Sequence, residues 1–269
     1  MKPILKWVGG KTQILTQVLA LFPETCVNYH EPFLGGGSVL LGMTMRVSGR
    51  IFASDVNPLL INLYQVVQQT PEELIACVRV LKNEFETCED KEAFYYKIRD
   101  WFNTKTLSNT ESAAVFLFLN KTCFRGVYRE GPHGFNVPYG HYTSPEIFHE
   151  EDVREMSKKI QNVVFTCQSF EESLKNVTPG DFVYVDPPYV PENTTSFVGY
   201  VAGGFDRHEQ LFTLLKNLPC RFVMSNSGVD VVKSMFPAPY TIQSLSARRA
   251  IHSKDPSART DEVLISMAP

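Results

Sequence analysis

Strand-like apolar runs and helical stripes alternate along the chain, and their order outlines an α/β protein. Residues 27–31 form a short apolar-rich run that leads into Pro32-Phe33-Leu34-Gly35-Gly36-Gly37. Ser38 follows as the expected N-cap of a helix over 39–47, with Val39, Leu40, Met43 and Val47 at helical spacing. A second strand over 51–54 ends at Asp55. Strand, glycine loop, helix, strand and acid make the front half of a doubly wound sheet. The alternation returns later in the chain. It predicts strands over 163–167, 182–185, 221–225, 240–245 and 263–267, with helices over 206–217 and 229–235. Only a basic loop separates the last two strands, so they are expected to form an antiparallel pair at the sheet edge.

The stretch between the two halves has a different texture. Thr70-Pro71-Glu72-Glu73 is a helix start, residues 74–85 and 93–102 form amphipathic stripes, and residues 113–120 form a buried helix. Residues 124–142 are punctuated by glycine and proline, which predicts a loop or hairpin. The expected organisation is one α/β domain built from residues 1–56 and 150–269, interrupted by a mainly helical insertion over 57–149.

Composition narrows the class. A chain of 269 residues, 43% hydrophobic and 20% charged, can bury one substantial core and carry an insertion. No apolar run approaches the roughly 18 residues of a membrane span, and residues 1–12 lack a signal-peptide pattern. The expectation is a protein of a cytoplasmic or nuclear-type compartment, neither secreted nor membrane-bound, and a monomer or weak dimer. Six cysteines without a CxxC pair predict reduced thiols rather than a zinc site or a disulfide framework. The net charge of −3 argues against a uniformly basic, nucleic-acid-binding surface. Cations nevertheless cluster locally: Arg125, Arg129 and His133 in one segment, Arg248, Arg249, His252, Lys254 and Arg259 in another.

The strongest chemical signal is Asp186-Pro187-Pro188-Tyr189, directly after the apolar run 182–185. It places a carboxylate at the carboxyl edge of the sheet, where α/β folds bind ligands. Two prolines lock the turn and leave carbonyl acceptors, and the tyrosine offers a flat stacking surface. An amine conjugated to a heteroaromatic ring is a weak nucleophile because its lone pair is delocalised. Acceptors at Asp186 and the Pro187 carbonyl could hold its hydrogens and free that lone pair, while Tyr189 stacks on a base swung out of a duplex. The bland alternative is a rigid turn after a core strand. A second signal is the glycine loop with Asp55 at the end of the next strand, an acid placed to accept ribose hydroxyls. Its contiguous glycines depart from the G-x-G-x-x-G spacing of dinucleotide sites, which suits a nucleoside cofactor without a pyrophosphate. Lys6-Trp7-Val8-Gly9-Gly10-Lys11 is weak alone.

Together, in this order, these motifs resemble the adenine-N6-specific DNA methyltransferase family that includes Dam-like and restriction-modification enzymes. The resemblance runs from Pro3 to about Ser266. It implies a Rossmann-like methyltransferase sheet, a helical target-recognition insertion, and S-adenosylmethionine as cofactor, with no metal. It places Trp7, Lys11, Phe33, Gly35, Gly37, Asp55, Phe170 and Asp186 around the cofactor, and Asp186, Pro187 and Tyr189 on the target base. Residues 120–140 resemble the family's DNA-reading hairpin, which makes Arg125, Arg129 and Asn136 candidates for DNA contact. Arg129 is the leading base reader, since an arginine fork matches O6 and N7 of guanine; contact with phosphates alone is the alternative for both arginines. In the late basic loop, Arg249 and Lys254 would face the DNA backbone. The implied partner is double-stranded DNA, with room for a cognate restriction endonuclease acting on the same site. Many relatives carry Asn where Arg125 stands, and the turn at 130–133 differs from that of GATC-specific members, so the target sequence stays open. Three rivals also stay open: methylation of another planar amine in RNA or a glutamine side chain, a DNA-binding module without catalysis, and a nicotinamide-dependent oxidoreductase.

Overall fold

A computed structural model describes residues 2–191, 205–248 and 259–267. Its strands are β1 (Tyr29–Glu31), β2 (Ile51–Asp55), β3 (Glu130–Gly131), β4 (Gly134–Phe135), β5 (Val163–Cys167), β6 (Phe182–Val185), β7 (Arg221–Ser227), β8 (Tyr240–Arg248) and β9 (Arg259–Met267). Seven of them form one sheet in the order β5-β2-β1-β6-β7-β9-β8. The first five run parallel, and β9 lies antiparallel between β7 and β8. The expected antiparallel pair is therefore present, with β8 on the edge. The doubly wound α/β fold is the one the sequence pattern outlines.

Apolar runs become central strands here because both faces are covered. Phe182, Val183, Tyr184 and Val185 are all buried, as a parallel strand between two helical layers requires. From β1 the chain steps outward through β2 to β5 on one side, then returns to β6 and steps to β7 on the other. The loops leaving β1 and β6 thus diverge, and a crevice opens between them at the carboxyl edge. That crevice is where Phe33 to Gly37 and Asp186 to Tyr189 emerge.

Two local expectations need correction. Ser38 is not the N-cap: Gly37 takes that position at φ +70°, and Ser38 opens the helix Ser38–Met43. Its hydroxyl instead accepts the Lys11 amide at 3.2 Å. The helix also stops at Met43, short of Val47, because the backbone of residues 46–48 is committed elsewhere. Cys26 N donates to Arg46 O, and Ser48 N donates to Cys26 O, each at 3.1 Å. A helical stripe loses to a competing strand-like bridge.

Not among the expected elements is the helix Pro58–Gln69, whose Asn57 cap accepts from Leu59 N and Leu60 N. Although it lies within 57–149, it packs on the sheet. Tyr64 stacks on Phe165 of β5 at 5.3 Å, and Gln65 and Gln68 donate to the Phe165 and Val163 carbonyls. Helices Pro71–Thr87, Lys91–Thr104 and Asn109–Thr122 follow. The last is buried over residues 113–120 and opens with a Ser108/Glu111 capping box. Beyond it, β3 and β4 form the expected hairpin, pairing Glu130 with Phe135.

Gly37 shows how tightly the loop is built. A Cβ there would lie 2.7 Å from the Tyr64 hydroxyl, on a backbone already left-handed. Gly37→Ala is predicted to destabilise the fold by about 1–3 kcal/mol. Because part of that cost is the contact with the hydroxyl, the same change should cost less in a Tyr64→Phe background. Urea unfolding of the four proteins checks this, and equal costs in both backgrounds would contradict it.

Candidate functional site

Asp186 leaves the end of β6 with 19% of its side chain exposed, and Lys11 Nζ sits 2.7 Å from its Oδ2. Lys11 itself is buried and also donates to the Gly9 carbonyl at 2.6 Å. Burial pushes the Asp186 carboxyl up and the nearby Glu262 charge adds to this, while the Lys11 ammonium pulls it down; the balance lies at about 6. At neutral pH the group is therefore ionised. Its second oxygen, Oδ1, is buried without a hydrogen-bond partner among the described residues. A charged acceptor left open in a crevice is a place for a donor.

Glu31 closes the same corner at the end of β1. It is fully enclosed, accepts the Tyr29 hydroxyl at 2.6 Å, and burial raises its carboxyl to about 8. Burial and the nearby Asp186 charge thus both favour its protonated form near neutral pH.

The glycine loop and Asp55 are joined directly. Gly35 N donates to Asp55 Oδ2 at 3.1 Å, and Asn57 N donates to Oδ1 at 3.0 Å. A carboxylate has about four acceptor positions, so the group keeps room for a further donor. Trp7 packs on the loop: a Cβ on Gly35 or Gly36 would meet it at 3.0 Å. Phe33 and Phe170 stack at 5.7 Å with 23° between their planes, and Phe170 is 2% exposed. The eight residues expected around a cofactor therefore fall into three adjoining groups: Lys11 with Asp186, Trp7 with Gly35, Gly37 and Asp55, and the Phe33–Phe170 pair.

Tyr189 lies under Lys11, whose Nζ is 5.0 Å from the ring centroid. Three residues that sequence analysis left without a role brace this turn. The Pro188 carbonyl lies 2.8 Å from His208 Nε2, Val190 N donates to Asn226 Oδ1 at 3.1 Å, and the Ser227 hydroxyl donates to the Val190 carbonyl at 2.7 Å. Glu262 of β9 accepts the Tyr189 hydroxyl at 2.9 Å. No motif announces them, since they reach the turn from the helix His208–Lys216 and from strands β7 and β9.

The hairpin brings Arg129 and Asn136 together on an exposed face. Arg129 Nε donates to Asn136 Oδ1 at 2.7 Å and Nη2 donates to Asn136 O at 3.3 Å. Arg125 stands apart, exposed at φ +57°, with its guanidinium 5.1 Å from the Phe124 ring. The hairpin stem reaches the glycine loop through Trp7, which stacks on Tyr128 at 5.8 Å. Asn120 adds a second tie, accepting from Lys6 N at 2.9 Å and donating to Lys6 O and Gly126 O. Arg249 and Lys254 lie outside the described residues. No cluster of metal-binding side chains occurs among the described residues, and none of their helices is long and apolar enough to cross a membrane.

Comparison with known proteins converges on one family. Residues 7–251 match the family model described as D12 class N6 adenine-specific DNA methyltransferase. The chain is 37% identical over 272 residues to the Type II methyltransferase M.MjaIII of Methanocaldococcus jannaschii, covering 94% of each protein. It is 35% identical over 259 residues to the Retron Ec67 DNA adenine methylase of Escherichia coli, covering 93% of this chain and 86% of that one. With the DNA adenine methylase of Escherichia coli K12 it shares 34% identity over 212 residues, covering 78% and 73%.

The Lys11–Asp186 pair makes a prediction about charge state. Lys11 holds the Asp186 carboxyl down, so Lys11→Met should move its titration midpoint upward from about 6. Carbon-13 NMR of aspartate-labelled protein reads the midpoint directly. An unmoved or lowered midpoint would mean that Lys11 does not set the charge of Asp186.

Proposed function

The chain belongs to the D12 class of N6 adenine-specific DNA methyltransferases, and we propose that it methylates adenine within one short duplex sequence using S-adenosylmethionine. The observation that carries the assignment of the active site is the Asp186 carboxylate at the sheet's switch point, held by Lys11 at 2.7 Å through one oxygen and with the other, Oδ1, buried and open. The adenine amine has two hydrogens to place. Asp186 Oδ1 takes one and the Pro187 carbonyl the other, which localises the nitrogen lone pair and aims it outward. Tyr189 stacks on the flipped base, which explains why an aromatic ring follows two prolines at this edge.

The residues fit the proposed cofactor. Asp55 has lone pairs left to accept ribose hydroxyls, the glycine loop permits close backbone approach, and the half-buried Phe33 supplies an apolar ring face backed by the buried Phe170. When bound, S-adenosylmethionine supplies a methyl group on a positively charged sulfur. The chain's own part is positional: it aligns the amine with that methyl and holds its hydrogens, and much of the acceleration follows from alignment. Before transfer, Lys11 favours the ionised form of Asp186. Once the methyl has moved, the amine carries an extra proton, and the Asp186 carboxylate is the nearest base to receive it.

Arg129 is the proposed base reader, its fork oriented by Asn136, with double-stranded DNA as the partner. A cognate restriction endonuclease and a cytoplasmic location are part of the same proposal, as are Arg125, Arg249 and Lys254 as further DNA contacts.

Two experiments test these roles. In single-turnover transfer from a radiolabelled donor, Asp186→Ala should slow methylation by about 10²–10⁴-fold, the scale of a positioned group acting on a proton in the transition state. Near-native turnover in a folded Asp186→Ala protein would remove the active site from this position. Arg129→Ala should relax discrimination at one base pair by about 1–3 kcal/mol. Rates on the target and its single-base variants measure this; uniform slowing of all variants would make Arg129 a phosphate contact.

A further inference from the structure

A tyrosine ring at the end of a turn can rotate about its Cα–Cβ bond unless its far end is held. The backbone of this turn is pinned by His208, Asn226 and Ser227, but none of these bonds reaches the Tyr189 ring. The hydroxyl at the ring's tip donates to Glu262 Oε2 at 2.9 Å. We propose that Glu262 is a positioning residue that fixes the Tyr189 ring in the plane on which the target adenine stacks. The inference rests on the proposed role of Tyr189 in the methyl transfer.

The surroundings of Glu262 are hard to explain otherwise. Among the described residues, no lysine, arginine or histidine forms an ion pair with it. Its charge stands close enough to Asp186 to oppose ionisation of that carboxyl, which is an electrostatic cost at the site. A neutral or apolar side chain would remove that cost, so the acid needs a compensating role. Accepting a hydroxyl hydrogen bond is that role, and a charged acceptor makes the bond a strong one. The register supports it. Glu262 pairs with Ser227, the residue whose hydroxyl pins the Val190 carbonyl. One pair of opposed residues on β7 and β9 thus holds both the backbone after Tyr189 and the tip of its ring.

A positioning residue acts only through what it positions, and this makes the inference testable with the full-length enzyme. Tyr189→Phe removes the donor and Glu262→Ala the acceptor. Each should lower kcat by about 10- to 100-fold, the scale of one hydrogen bond to a charged group, with KM for DNA nearly unchanged. The double variant should be no slower than the slower single variant. Glu262→Gln keeps an acceptor oxygen and should recover most of the rate lost in Glu262→Ala; it also serves if Glu262→Ala fails to fold. Losses that multiply in the double variant would overturn the proposal, as would a Glu262→Gln enzyme as slow as Glu262→Ala. Tyr189→Ala separates the two levels of the argument. If it turns over normally, stacking on Tyr189 is wrong and the inference falls with it. If it is slow while the cycle is multiplicative, Tyr189 keeps its role and Glu262 alone loses its own.

Discussion

The site depends on the 2.7 Å contact between Lys11 Nζ and Asp186 Oδ2. Burial alone would drive the carboxyl toward its neutral form, and a neutral acid would be a poorer acceptor for an amine. The lysine reverses part of that shift and occupies one oxygen, which leaves the other charged and open. Burying an ion pair gains little stability in general, because desolvation offsets the attraction. The pair is therefore better understood as fixing a charge state and an orientation than as holding the fold together. At the neighbouring strand end, burial favours the protonated form of Glu31, which limits like charge beside Asp186.

The same lysine ties together pieces of chain that are far apart in sequence. Its backbone amide reaches Ser38 beside the glycine loop, and its side chain reaches the end of β6. Four residues earlier, Trp7 covers Gly35 and Gly36 and stacks on Tyr128 at the hairpin stem. The short N-terminal segment thus links the loop proposed to approach the cofactor, the acid proposed to meet the base and the hairpin proposed to read DNA. In a methyltransferase that must act on one sequence, this is where the three tasks meet.

Much of this was legible in the sequence because local chemistry repeats the global plan. Apolar runs ending in Asp55 and Asp186 marked the strand ends, and the Gly/Pro punctuation near 124–142 marked the hairpin. What stayed hidden was non-local. The helix Ser38–Met43 ends early because residues 46–48 pair with Cys26, a partner no periodicity reveals. Pro58–Gln69 was lost inside the insertion although its Asn57-Pro58 start is a capping signal; its packing on β5 could not be read from the stripe alone. His208, Asn226 and Glu262 carry no motif, and only the helix His208–Lys216, the parallel strand β7 and the antiparallel strand β9 bring them to the turn at Tyr189.

The central claim is that this carboxylate, held ionised by Lys11, receives an adenine amine presented in one sequence context. Its most direct test is to express the protein in a host that lacks DNA methylation and to sequence that host's DNA for modified bases, beside a host carrying Asp186→Ala. The account predicts N6-methyladenine confined to one short sequence, and none with the variant. A mark on cytosine, or N6-methyladenine that persists with Asp186→Ala, would contradict it.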